Sequence, residues 1–458
     1  MASWRHLGVF FAMFAALALL SGCSLPGTSS SSKTVVTVAY GSTYVFDTTP
    51  LANKWWNGIK TQFDKKYSNA EVKLVPIGGS YTDIVNKLSL LYRSSSTAPD
   101  VAQLPTAQIG EWASSGYLLP LNNLVTKSSW WSTFPKVVQS EGIFGGQIYA
   151  VDTGENDSMM YYNMTMFRKA GLPVPWHPKT WQDLLTASQK IKAKLPGVIP
   201  MWLNAGTSSG TNGILQGGGN LINGASNPTI YDSATKKWVV DSPGLREVLT
   251  FYHSIFSQGL GAPISDLFNP AAVTVPLSLF QKGQLAIAVG SNYYGGNWTK
   301  TICAPCWPQA TQIMGAVPIP TINGQAPGSA STLGGWDLAI YKKTKDQTAA
   351  WNLLDLMENK DNQINAANWA GFVPPNLAYT KDPLFVNFAP PYNAVSAQVL
   401  PNSTITPSSA DYSVWGQGFN EATGALAQKP STTVDSAIGI LKSYVTNQLG
   451  ASKVETLH

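Results

Sequence analysis

Met160-Tyr161-Tyr162-Asn163, followed by Phe167-Arg168-Lys169-Ala170-Gly171-Leu172-Pro173 and then Pro178-Lys179-Thr180-Trp181-Gln182-Asp183-Leu184, is the most informative stretch of this chain. Its last part predicts a helix start. The Thr180 hydroxyl can accept from an unpaired first-turn amide, with Asp183 nearby, and Trp181, Leu184, Ile191 and Leu195 follow as the apolar positions. The same alternation of short apolar runs and helical stretches extends outward. Upstream, Val35 to Tyr40 reads as a buried strand, and Trp56, Ile59, Phe63 and Tyr67 recur at helical spacing. Val72 to Ile77 is the next strand, and Ile84, Leu88 and Leu91 mark another helix face. Downstream, Pro243 opens a helix carrying Leu245, Val248, Leu249, Tyr252, Ile255 and Phe256, closed by Gly259. Gln284 to Val289 and Asp337 to Tyr341 read as strands, and a final helix runs from about Val434 to Gly450. The alternation predicts an α/β protein without internal repeats.

The N-terminal segment reads as an address. Arg5 and His6 precede an apolar run, Leu7 to Leu20, that ends in Leu20-Ser21-Gly22-Cys23. A short charged region, an apolar run and small residues at a cut site make a secretory signal. The cysteine after Leu-Ser-Gly resembles the bacterial lipobox, which implies cleavage after residue 22, lipidation of Cys23 and anchoring at the extracytoplasmic face. Residues 23–33 are Ser/Gly/Pro-rich and read as a flexible tether. No later stretch approaches the roughly 20 apolar residues of a spanning helix.

A chain of 458 residues is long for one core and suggests two domains. Only 12% of its residues are charged, so the surface is neutral and polar. The net charge of +5 comes from scattered lysines such as Lys65-Lys66 and Lys342-Lys343, not from a basic stripe, and argues against nucleic-acid binding. Tryptophan is abundant, at 16 residues, several of them in Gly/Asn/Ser surroundings where packing alone is a poor explanation.

Signatures of catalysis are weak. There is no phosphate-cradling GxxxxGK[ST], and beyond the leader the histidines are His177, His253 and His458, without paired ligand spacing. No metal site is expected. Gly206-Thr207-Ser208-Ser209-Gly210 matches the nucleophile-elbow spacing G-x-S-x-G, but Thr211-Asn212-Gly213 is a poor helix start and only His253 could serve as base. Asp152, Glu155 and Asp157 are the candidates for a glycosidase acid/base pair. Cys303-Ala304-Pro305-Cys306 lies among Pro and Trp residues and, outside the cytoplasm, reads as a local structural disulfide.

The stretch from Met160 to Leu184 resembles the "yYN…f.kAGl.P…p.TW.dl" pattern of the extracellular solute-binding proteins of ABC importers, in the carbohydrate-binding family that includes maltose- and glycerol-3-phosphate-binding proteins. Ala98-Pro99-Asp100-Val101, Phe280 to Ile287, Gly334 to Ile340 and Ala370 to Pro374 resemble further landmarks in the same order, with Ala370 standing where Thr is usual. The resemblance covers roughly Val35 to Leu449. It implies an α/β fold of two lobes, periplasmic-binding-protein-like, with the ligand in the cleft between them. The first lobe would hold 34–150 plus 317–372, and the second 151–316 plus 373–450. It further implies a monomer without catalysis or cofactor, which captures a sugar, an oligosaccharide by preference, and delivers it to membrane permease subunits.

Sugars present apolar C–H faces and hydroxyl edges, so aromatic faces beside amides and hydroxyls suit them. By that chemistry and by correspondence with the family, the candidate ligand-binding residues are Gly41, Ser42, Tyr81, Gln103, Asn156, Asp157, Trp202, Asn204, Ser291, Asn292, Tyr293, Gly335, Trp336 and Trp415. Two alternatives stand beside this reading: a binding protein for glycerol-3-phosphate or glycerophosphodiesters, and a secreted carbohydrate-active hydrolase. The phosphate alternative would need an arginine fork or a nest of amides, and arginine is scarce.

Overall fold

A computed structural model describes residues 33–42, 51–79, 81–298, 306–407 and 409–458. The signal segment, the tether and Cys23 lie outside the described residues, as does Cys303. Cys306 is disulfide-bonded.

Ten strands carry the architecture: β1 (Thr34–Gly41), β2 (Ala70–Ile77), β3 (Val101–Pro105), β4 (Ala150–Asn156), β5 (Ser158–Asn163), β6 (Ile199–Trp202), β7 (Leu285–Ser291), β8 (Met314–Val317), β9 (Thr332–Ile340) and β10 (Thr404–Ile405). The first sheet has the order β10-β9-β3-β1-β2, with β4 also paired to β9. The pairs of β1 with β2 and with β3 are parallel, and β9 runs antiparallel to β3 and β4. The second sheet has the order β8-β5-β7-β6. Helices cover the sheets, and two separate hydrophobic cores result. One gathers residues from Val36 to Val151 and from Leu333 to Val373, together with Phe385 and Leu400. The other gathers residues from Met159 to Ile319 and from Ala389 to Val445. The molecule is a two-lobed α/β protein.

Local chemistry explains why the quoted stretch folds as it does. Every residue of β5 is buried, as expected of an inner strand covered on both faces. Asn163 caps the following helix, Met164–Ala170, by accepting from the Met166 amide, and Gly171 ends it in the left-handed conformation at φ 68°. Thr180 and Asp183 form a reciprocal capping box at the start of Trp181–Lys194. The Trp181 indole N–H then donates to the Pro320 carbonyl at 3.0 Å, which pins this helix under the second lobe.

The lobes are joined where β4 of the first sheet runs through Asp157 into β5 of the second. Glu155 and Val373 exchange backbone hydrogen bonds of 2.9 and 2.8 Å, tying another crossing segment to β4. Glycines let these segments approach. A Cβ on Gly154 would lie 2.5 Å from the Cβ of Phe372, and one on Gly335 would lie 2.6 Å from the Gly154 carbonyl oxygen. Larger residues at either position would force the crossing strands apart.

Candidate ligand-binding cleft

A cleft opens between the lobes, enclosing about 900 Å3 of space that is continuous with solvent. The first lobe contributes Gly41 from the end of β1, Gln103 and Pro105 from β3, Thr106, Trp55 and Trp56 from the helix Leu51–Lys66, and Trp336 from β9. The second contributes Asn212 and Leu215 from the helix Gly210–Leu215, Gln216, Ser291 at the end of β7 and Tyr293. Asn156, Ser158 and Phe372 lie at the crossing, with Thr332 and Gly335 at the near end of β9. Aromatic faces thus meet amides and hydroxyls. Among the described residues the lining contains no Asp, Glu, His, Lys or Arg.

Hydrogen bonds hold the polar groups in place. Tyr293 donates its hydroxyl to Gln216 Oε1 at 2.9 Å, and Gln216 donates from Nε2 to Asn212 Oδ1 at 2.9 Å. Burial, reinforced by the neighbouring Tyr294, pushes the Tyr293 hydroxyl well above its ordinary pKa, so it remains a neutral donor. On the crossing, Asn156 donates to Asn292 Oδ1 at 3.1 Å, and Asn292 donates in turn to the Gly371 carbonyl at 3.0 Å. The Ser291 hydroxyl donates to the Asp157 carbonyl at 3.0 Å. The Gly335 amide donates to Thr106 Oγ1 at 2.9 Å, which fixes the backbone beside the Trp336 indole. A cleft built this way can hold a ligand by stacking and neutral hydrogen bonds.

Residues 48–364 match the model of the bacterial extracellular solute-binding protein family. The chain belongs to that family. A probable ABC transporter-binding protein of Deinococcus radiodurans is 24% identical to this solute-binding protein over 314 residues, covering 68% of this chain and 70% of the relative. The sn-glycerol-3-phosphate-binding periplasmic protein UgpB of Brucella abortus is 29% identical over 165 residues, covering 32% of this chain and 37% of the relative. Among solved structures, the maltose-bound MalE3 of T. maritima superposes with a TM-score of 0.73 at 21% identity, covering 91% of this chain and 100% of that one. No helix among the described residues of the solute-binding protein is long and apolar enough to cross a membrane.

The sequence candidates divide into four groups. Gly41, Gln103, Asn156, Ser291, Tyr293, Gly335 and Trp336 line the cleft together. Ser42, Asp157 and Asn292 stand next to it. The Ser42 amide donates to the Ile77 carbonyl at 2.9 Å, while Asn292 acts as the bridge described above. Asp157 is fully buried and accepts from the Ser396 hydroxyl at 3.1 Å, and burial pushes its carboxyl up to about 7. Tyr81 begins the helix Tyr81–Tyr92, and its side chain lies outside the described residues.

Trp202, Asn204 and Trp415 are corrections, because all three sit in the second lobe's interior and do not line the cleft. Trp202 donates its indole N–H to Asn204 Oδ1 at 3.2 Å, and Asn204 donates to the Gln216 carbonyl at 3.2 Å, so this pair supports the cleft from behind. Trp415 lies inside the continuous helix Tyr412–Gln428 and stacks on Phe419 and Trp238. Asp152 and Glu155 are buried away from the lining as well. Ser208 of the weighed elbow is not among the lining residues either.

Trp55, Trp56, Thr106, Asn212, Gln216 and Phe372 line the cleft without having been expected there. One signal was available. Trp55 and Trp56 are adjacent, about 100° apart on their helix, and both are buried, at 2% and 1% exposure, so together they present a broad indole surface.

Proposed function

We propose that this protein is the capture component of an ABC importer for a neutral sugar, an oligosaccharide by preference, which it holds between its lobes and passes to membrane permease subunits. The supporting observation is the cleft lining: indole and phenyl faces, amides and hydroxyls, and no charged side chain among the described residues. Sugar rings stack on such faces, and their hydroxyls exchange hydrogen bonds with the amides. A phosphate ester would leave its charge without a guanidinium or ammonium partner there. We take the hinge to lie between the lobes 34–150 plus 317–372 and 151–316 plus 373–450, with the protein acting as a monomer and catalysing no reaction itself. Closure about the hinge would exclude water and strengthen each polar contact inside.

A thermal-shift series tests the ligand class. A neutral mono- or oligosaccharide at 100 times its dissociation constant should stabilise the protein by about 2.7 kcal/mol, with no cleaved product in solution. A shift with glycerol-3-phosphate alone would overturn the neutral-sugar reading, and slow release of cleaved sugar would replace binding with hydrolysis.

The Cys23 thiol is proposed as the lipid attachment site, tethering the lobes through residues 24–33 to the extracytoplasmic face. Cys23→Ser should move the protein from the membrane to the soluble fraction of cells. Membrane retention of the variant in carbonate-washed fractions would sink the anchor.

A further inference from the structure

We propose that Glu141, Asp152 and Glu155 form a buried binding site for one hard divalent cation of the calcium class, set beneath the crossing strands. The three residues come from the end of the helix Lys136–Glu141 and from β4, and are 1%, 3% and 0% exposed. One oxygen from each lies within 4.8 Å of those of the other two. That span equals about twice a calcium–oxygen bond, so all three can touch one ion.

A second observation turns the cluster into a site. Both carboxylate oxygens of Glu141, both of Glu155, and Oδ2 of Asp152 are buried without an amide, hydroxyl or cationic donor, and only the carboxyls of the trio itself could share protons with one another. Buried polar atoms are rarely left so, and here one oxygen of each carboxylate lies within 4.8 Å of one from each of the others. The other oxygen of Asp152 accepts from the Gly154 amide at 3.0 Å, which braces that carboxylate and leaves Oδ2 for the ion. Glu155 is held from its backbone by the paired hydrogen bonds to Val373. The ligand atoms are therefore attached to rigid elements.

Charge makes the same demand. Asp337 of β9 and Glu358 are also buried; Asp337 interacts electrostatically with all three of the trio, and Glu358 with Asp152. Among the described residues, no Lys, Arg or His is ion-paired with any of the five carboxyls. Keeping these carboxylates ionised together without a counter-charge would cost several kcal/mol each, so in the absence of a cation burial and mutual repulsion hold protons on them. One divalent ion cancels two of those charges at once. Donors made only of oxygen select calcium, magnesium or manganese over zinc or copper. The ion would join the end of a first-lobe helix to the strand that continues into the second lobe, and would stiffen the hinge from below. This site stands apart from the sugar cleft and does not depend on the reading of its ligand.

Calcium titration of the full-length chain, purified in detergent and stripped with chelator, tests the assignment. Calorimetry should count one calcium per chain, and calcium should raise the melting temperature of the stripped protein. Glu141→Gln and Asp152→Asn should each weaken binding by about tenfold or more while circular dichroism stays unchanged. Equal binding by wild type and both variants would place the ion elsewhere and overturn the site. If both variants fail to fold, terbium added to the wild-type protein decides. Tryptophan-sensitised emission that titrates to one site and is displaced by calcium supports the proposal, and its absence overturns it. A stripped protein that takes up no calcium, magnesium or manganese at roughly 1 mM, the weak end for extracellular calcium modules, also overturns it. Stability falling with rising pH in that protein would then assign the carboxyls to shared protons.

Discussion

Trp336→Ala should weaken sugar binding by about 30-fold or more, corresponding to about 2 kcal/mol, the range in which buried tryptophans dominate an interface. The indole lines the cleft, is 7% exposed, and projects from a backbone fixed on both sides. Its carbonyl accepts from the Thr153 hydroxyl at 2.9 Å, and the preceding amide donates to Thr106. A ring held this way loses little freedom when a sugar stacks on it, so its removal costs nearly the full contact. Trp336→Phe should retain part of the affinity, because a smaller face remains. Calorimetry with the sugar found by thermal shift measures both variants. Since Trp336 also packs in the first lobe's core, urea unfolding of the ligand-free variant has to accompany it. Unchanged affinity in a folded Trp336→Ala protein would remove Trp336 from the ligand site.

Trp415→Ala should do the opposite, sparing the site and destabilising the second lobe by about 3–5 kcal/mol. Trp415 is fully buried, with its ring 5.5 Å from Phe419 at 14° and 6.1 Å from Trp238 at 24°. Its indole N–H donates to the Val239 carbonyl at 2.8 Å, so truncation leaves both a cavity and an altered polar contact. Two lobes with separate cores need not unfold together, and the loss should appear in the transition that reports the second lobe. Affinity measured below that transition should stay within a few-fold of the parent protein. A large loss of affinity with full stability would return Trp415 to the cleft.

These two tryptophans show how far the site was legible in the sequence. Both stand beside glycine, and the expectation placed both on the cleft. At Trp336 the neighbouring Gly335 lies where β9 meets β4 so closely that a side chain would strike the Gly154 carbonyl. There the glycine does mark a backbone approach. At Trp415 the next residue, Gly416, sits within a helix, where a Cβ would lie 2.9 Å from the Ile214 Cδ1 atom. That glycine serves packing, and composition cannot separate the two cases. The helix starts at Thr180 and Pro243 and the buried strands around Val36 and Ile287 were legible, because capping and periodicity are local. β9 was foreseen only from Asp337 onward, although it begins at Thr332, since two glycines disguise its first half. Asn212 and Gln216 were missed for a related reason. Their positions depend on how the Gly-rich run 206–219 folds against Tyr293, which is a tertiary matter.

The uncharged cleft has a consequence for transport in changing surroundings. Because the described lining is uncharged and a neutral sugar carries no net charge, steering by those residues leaves dissolved ions nothing to screen. Capture would then proceed at much the same rate in fresh water as in brine. Scarcity of sugar outside the cell, rather than the salt around it, would govern how fast the importer is fed.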